Sequence, residues 1–137
     1  MTSNMKETYV LDTFALIAFF LGETGGKKVK EILKKLKKSG QKALLSEINL
    51  GELYYVLCRK KDQAAAEEAI EGIERLPIRL IPVNRDLILK AAEIKATKPI
   101  SFADAFVVAL AKKEKAIIVS HDPEFEVVKD EVKILWL

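Results

Sequence analysis

Five short apolar runs, none longer than five residues, constrain this chain more than any other feature: Tyr9–Leu11, Ala43–Leu45, Arg79–Pro82, Ala116–Ser120 and Lys133–Leu137. Each is strand-length, and helical stretches separate them. That alternation predicts an α/β fold in which a parallel sheet of four or five short strands carries helices on both faces, a three-layer α/β/α sandwich. The intervening stretches read as six helices. Thr13–Leu21 is almost wholly apolar. Lys27–Lys38 carries one stripe of Val29, Ile32, Leu33 and Leu36, with seven lysines and one glutamate elsewhere. Ser46 caps a helix from Glu47 to about Lys60, and Asp62 caps one running to about Leu76, where Pro77 stops it. Asn84 caps a fifth, with Val83 and Ile88 spaced for a hydrophobic staple, and Ser101 starts a sixth from Phe102 to about Lys113. Asp122-Pro123 opens a turn or short helix through Val128.

The 137 residues fit one domain spanning 1–137, with the polar residues 1–8 as a frayed start. Neither a repeat nor a linker interrupts it. The single cysteine, Cys58, permits no internal disulfide and reads as a small core residue. The polar start fits no signal peptide, and the longest apolar run contains Asp12 and falls short of the roughly 20 residues a bilayer needs. A cytoplasmic protein is expected. The net charge of +3 permits an anionic partner without demanding one.

Strands of a parallel sheet point the same way, so the residues after each strand emerge at one common edge. Asp12 directly succeeds the first strand, and Asp122 succeeds the fourth after Ser120 and His121. Asp104 lies in the first turn of the sixth helix, and Glu52 in the second turn of the helix after the second strand. Each has a bland alternative. Asp12 and Asp122 suit helix caps, Ser101-x-x-Asp104 is a capping-box pattern, and Glu52 suits a solvated face. The surroundings favour function. Asp12 is the only charge in YVLDTFALIAFFL, Asp104 is the only charge in SFADAFVVALA, and Glu52 shares a helix face with Ile48, Tyr55 and Val56. Glu47, about 140° round the helix from Glu52, suits the helix dipole instead.

Two carboxylates about 4 Å apart repel by roughly 4 kcal/mol at an effective dielectric of about 20. Four converging acids therefore require a cation. An all-oxygen set without His or Cys selects Mg²⁺ or Mn²⁺ over zinc, and the chemistry such a site supports is phosphodiester hydrolysis.

Four segments together, YVLDTFALIAFFLGE, NLGELYYVL, SFADAFVVALA and SHDPEF, resemble PIN-domain ribonucleases, in particular the VapC-type toxins of prokaryotic toxin–antitoxin pairs. The resemblance spans nearly the whole chain in order and spacing. It implies Mg²⁺- or Mn²⁺-dependent endonucleolytic cleavage of single-stranded RNA, leaving a 5′-phosphate. Asp12, Glu52, Asp104 and Asp122 match the family's acidic positions as catalytic and metal-binding residues, and Thr13 and Ser120 match its supporting polar positions. Some members carry a further acid downstream, for which Glu124 and Glu126 are the candidates. A homodimer and a cognate antitoxin that blocks the site and helps bind operator DNA are also implied. Alternatives are a housekeeping RNA-processing nuclease and a non-catalytic RNA- or protein-binding module of the same fold. A phosphotransfer receiver is disfavoured, since two helices separate the first two strands and no early acidic pair occurs.

Among the remaining features, Lys34, Lys35 and Lys38 are candidate RNA contacts on a helix face that otherwise reads as simply solvated. Of the adjacent Tyr54 and Tyr55, one is expected in the core and the other free to stack on a base or a partner. The lone His121 reads as a loop residue, and Trp136 as part of a terminal strand docked at the sheet edge.

Overall fold

A computed structural model describes residues 7–137. The expected fraying of residues 1–8 lies outside the described residues except at its end, where the Thr8 carbonyl already accepts the Ile117 N–H at 2.8 Å. The strands are β1 (Tyr9–Leu11), β2 (Ala43–Ser46), β3 (Ile78–Ile81), β4 (Ile117–Ser120) and β5 (Ile134–Trp136). The helices are α1 (Thr13–Leu21), α2 (Gly26–Ser39), α3 (Glu47–Lys60), α4 (Gln63–Arg75), α5 (Arg85–Thr97) and α6 (Phe102–Glu114), with a 3₁₀ segment over Pro123–Val128. Every strand pairing is parallel, in the order β3-β2-β1-β4-β5.

The two-residue period of the strands sorts their side chains into two cores. Val10, Leu44 and Ile118 pack with Leu87 and Ala91 of α5, with most of α6, and with Phe125 and Val128. Their chain neighbours Leu11, Leu45 and Val119 point the other way, among α1, α2, α3 and α4. The result is the expected α/β/α sandwich, with five strands. The α2 stripe of Val29, Ile32, Leu33 and Leu36 is buried as its spacing requires. Helices α1 and α2 meet so closely that a Cβ on Gly26 would run into the Ala18 carbonyl.

Helix caps agree with the sequence. Ser46, Asp62, Asn84 and Ser101 each accept the backbone N–H three residues on. Val83 joins the core, whereas Ile88, its expected staple partner, is 39% exposed. Trp136 lies on the edge strand β5, 37% exposed. Among the described residues, no helix is long and apolar enough to cross a membrane.

Candidate metal centre

The strand order fixes where a site can form. From β1 the chain winds outward through β2 and β3, then returns to the other side of β1 with β4 and β5. The winding reverses between β1 and β4, and the crevice beyond their carboxyl ends is where open α/β sheets bind ligands. Asp12 leaves β1 at that point, and Asp122 leaves β4 two residues beyond its end.

Asp12 is fully buried and occupies the N-cap position of α1, yet its side chain makes no cap hydrogen bond. Its Oδ2 accepts the Ser120 hydroxyl at 2.8 Å, and its Oδ1 is buried without a partner. Burial pushes its pKa up to about 7, against the lowering effect of Ser120, and the charges of Glu52 and Asp122 push the same way as burial. Of a cap, Asp12 keeps the N-cap position and a lowering influence from the Phe14 N–H, without a full cap hydrogen bond. Ser120, itself fully buried, also accepts the Asp122 N–H at 2.9 Å, so one hydroxyl joins both acids.

Thr13 supports the site from a different side than its position beside Asp12 implies. Its hydroxyl donates to the Asn49 carbonyl at 3.4 Å and accepts from Asn49 Nδ2 at 3.3 Å. Asn49, fully buried, also reaches the Ala103 carbonyl at 3.2 Å and receives the Ser46 hydroxyl at 2.7 Å. This one side chain ties the starts of α1, α3 and α6 together, a role that its place in the sequence does not single out. Its only signal was an asparagine three residues from Glu52, hence on the same face of α3. Glu52 is half-buried, and its Oε1, like Asp12 Oδ1, is buried without a partner.

Asp104 is buried in the first turn of α6. Its N–H is capped by the Ser101 hydroxyl at 3.1 Å, but the return half of a capping box is missing: the Ser101 N–H donates to Glu124 Oε1 at 2.6 Å. Carboxylate oxygens of Asp104, Asp122 and Glu124 lie within 4.8 Å of one another. Burial first, then the charge of Asp12 and the contact with Glu124, push Asp104 well above the usual carboxylate range. Burial opposes ionisation of Glu124, but hydrogen bonds from Asp104 and Ser101 and the nearby Lys95 pull it below its ordinary value. Lys95 is itself held by the Ile100 carbonyl at 2.8 Å. Asp122 keeps its bland role as well, its Oδ1 accepting the Glu124 N–H at 2.9 Å at the start of the 3₁₀ segment.

Of the two downstream candidates, Glu124 joins the cluster, and Glu126 is exposed and pairs with Lys129 at 3.1 Å. Lys34, Lys35 and Lys38 are exposed on the second half of α2, which is joined to β2 by three residues, by the edge opposite the acids. His121 is an exposed loop residue. Tyr54 packs on the core, while Tyr55 is 47% exposed beneath the Arg59 guanidinium.

This donor set fits a hard divalent cation. Two buried carboxylate oxygens, on Asp12 and Glu52, lack any partner. Neither residue belongs to the close Asp104–Asp122–Glu124 group, but the charges of Glu52 and Asp122 act on Asp12, and that of Asp12 acts on Asp104. Buried polar atoms are normally satisfied, and an oxygen-only set suits Mg²⁺ or Mn²⁺.

Fold and site together define an α/β/α protein that gathers carboxylates at the switch point of a parallel sheet. The chain belongs to the PIN domain family, whose family model matches residues 9–131. Its fold is similar to that of VapBC from Salmonella typhimurium bound to DNA (TM-score 0.75, 17% identity, 95% of this chain and 98% of that one covered). It is also similar to VapBC2 from Rickettsia felis bound to a DNA fragment from its promoter (0.74, 16%, 93% and 97%). A third similar structure is VapC20 from Mycobacterium tuberculosis, a sarcin–ricin loop cleaving toxin (0.70, 24%, 88% and 94%). No curated protein sequence matches the chain.

Proposed function

We propose that this single domain, residues 1–137, is a metal-dependent endoribonuclease that hydrolyses phosphodiester bonds of single-stranded RNA, and the toxin of a toxin–antitoxin pair. The observation that carries the reading is the pair of orphaned buried carboxylate oxygens, Asp12 Oδ1 and Glu52 Oε1, with the Asp104–Asp122–Glu124 cluster within range of the Asp12 charge. Asp12, Glu52 and Asp104 would hold Mg²⁺ or Mn²⁺, with Asp122 completing the set or orienting the attacking water. The bound cation supplies charge neutralisation at the scissile phosphate and an activated water. The chain's own residues supply placement. Ser120 fixes the Asp12 carboxylate, Asn49 and Thr13 fix the helix starts that carry Glu52 and Asp104, and the apolar residues around them keep bulk water from the buried oxygens.

The toxin reading draws its support from fold relatives that are VapBC assemblies, two of them bound to DNA. By that analogy the protein has a cognate antitoxin; that it is a cytoplasmic homodimer is part of the same proposal, carried by the sequence and the family resemblance. The lysines of α2, by the edge opposite the acids, would contact RNA only where a strand runs on beyond the reacting centre. Seven lysines against one glutamate over residues 27–38 exceed the +3 of the whole chain, so everything outside this stretch is net acidic. None of the seven forms an ion pair among the described residues.

The test is incubation of the protein with defined single-stranded RNAs and either Mg²⁺ or Mn²⁺, with Asp104→Asn as control. Metal-dependent internal cleavage that Asp104→Asn abolishes is the expected result. Cleavage that persists in the variant, or its absence in the parent with both metals, overturns the nuclease reading. Arrest of growth on expression, relieved by a small DNA-binding protein encoded next to it, separates a toxin from a housekeeping nuclease.

A further inference from the structure

Helix α6 begins with an incomplete capping box, and the residue that completes it comes from elsewhere in the chain. In the ordinary motif the N-cap serine takes the N–H of the residue three on, and that residue's side chain returns to the serine N–H. Here the first half is present, Ser101 Oγ accepting the Asp104 N–H at 3.1 Å. The second half is made by Glu124, whose Oε1 accepts the Ser101 N–H at 2.6 Å from 23 residues away.

Glu124 is well fixed for this task. Its own N–H is held by Asp122 Oδ1 at 2.9 Å, Pro123 sets the backbone before it, and the neighbouring Phe125 is fully buried in the core. The Asp104 carboxyl, with its local partner taken, sits instead against the Glu124 carboxyl with Asp122 alongside, within reach of the Asp12 charge.

We propose that Glu124 is a positioning residue: by taking the Ser101 N–H, its carboxylate prevents Asp104 from closing its own capping box and keeps the Asp104 carboxylate available to a divalent cation. The inference rests on the metal-site reading above, and it assigns Glu124 a role that needs its acceptor oxygen rather than its charge. Glutamine retains that oxygen, and alanine does not.

The experiment measures Mn²⁺ binding to the full chain by calorimetry, without RNA, for the parent, Glu124→Ala and Glu124→Gln. Partners that orient a metal ligand are worth roughly 10- to 100-fold in affinity. Glu124→Ala is expected to weaken binding by about that factor, and Glu124→Gln to recover most of the loss. Equal losses in both variants overturn the proposal in favour of a direct ligand, and unchanged binding in both overturns it outright. Amide hydrogen exchange at Ser101 in metal-free protein reads the cap independently of any cation. In Glu124→Ala the Ser101 amide should stay protected, because Asp104 falls back onto it, and lose protection when Asp104→Ala is added. Loss of protection in Glu124→Ala alone overturns the fallback. Should the parent bind no Mn²⁺ while the exchange pattern holds, the metal reading fails and the cap exchange stands.

Discussion

The Ser120 hydroxyl donates to Asp12 Oδ2 at 2.8 Å, joining residues 108 positions apart at the ends of neighbouring strands. It is the only side-chain hydrogen bond Asp12 makes among the described residues. Ser120→Ala leaves both Asp12 oxygens without a partner and takes the acceptor from the Asp122 N–H. Losing a hydrogen bond to a buried carboxyl costs about 1–3 kcal/mol. Urea denaturation of the metal-free variant should show a loss of that size, and calorimetry a weaker Mn²⁺ affinity.

Burial holds the Asp12 pKa at about 7, above its value in an unfolded chain. A carboxyl raised on folding binds its proton more tightly folded than unfolded. Its contribution is thus most favourable below about pH 4 and is lost as pH rises toward 7. Asp104 is raised in the same direction. Metal-free protein should therefore lose on the order of a few kcal/mol of stability across that window. Asp12→Asn should flatten the profile and melt higher than the parent at pH 7.5. Mn²⁺ at about 100 times its Kd should restore about 2.7 kcal/mol to the parent and much less to the variant. Thermal melts with and without Mn²⁺ from pH 4 to 8 test all three statements.

Replacing Lys34, Lys35 and Lys38 with glutamine should weaken RNA binding and lower its salt dependence. Single strands release roughly 0.7 counterion per contacted phosphate, so three lost contacts reduce the slope of log K against log[salt] by about 2. Fluorescence anisotropy with metal-free protein and a single-stranded RNA measures the slope without cleavage. An unchanged slope returns these lysines to a merely solvated face.

Glu131 accepts from Lys112 Nζ at 2.6 Å and lies 2.8 Å from Lys98 Nζ, linking the loop after the 3₁₀ segment to α6 and to the residue capping α5. These contacts, Lys112 first, hold its pKa down to about 2. A depressed carboxyl stabilises above its unfolded pKa, near 4.3, and the contribution disappears as pH falls through about 2. The group is partly exposed, so solvent screening limits the effect to at most about 1 kcal/mol. Glu131→Gln should melt slightly below the parent at pH 7 and level with it at pH 2, and 1 M NaCl should narrow the gap at pH 7.

The pattern of elements was legible because it rests on local chemistry. The period of the α2 stripe, the capping serines and the β-branched run of β4 each state their structure within a few residues. The edge at which the acids gather came from strand direction alone. What stayed hidden depends on which side chains meet. Asn49 reads in sequence as an ordinary polar residue in a first helical turn, and only the packing of α3 between α1 and α6 makes it a junction. Glu124 and Glu126 are indistinguishable by composition. The 3₁₀ segment points one toward Ser101 and the other toward Lys129. Ser101-x-x-Asp104 signalled a capping box, and the donor was then claimed by a glutamate that local reasoning does not see.

The pairing of β1 with β4 has a further consequence, for the order in which the molecule is made. Asp12 and Glu52 leave the ribosome early, but β1 lacks its neighbour on one side until Ile117–Ser120 has been synthesised. A nascent chain ending after α6 carries Asp104 without Asp122, without Glu124 and without the hydroxyl that holds Asp12. The acids at this edge therefore come together only in a chain that includes β4 and the 3₁₀ segment after it.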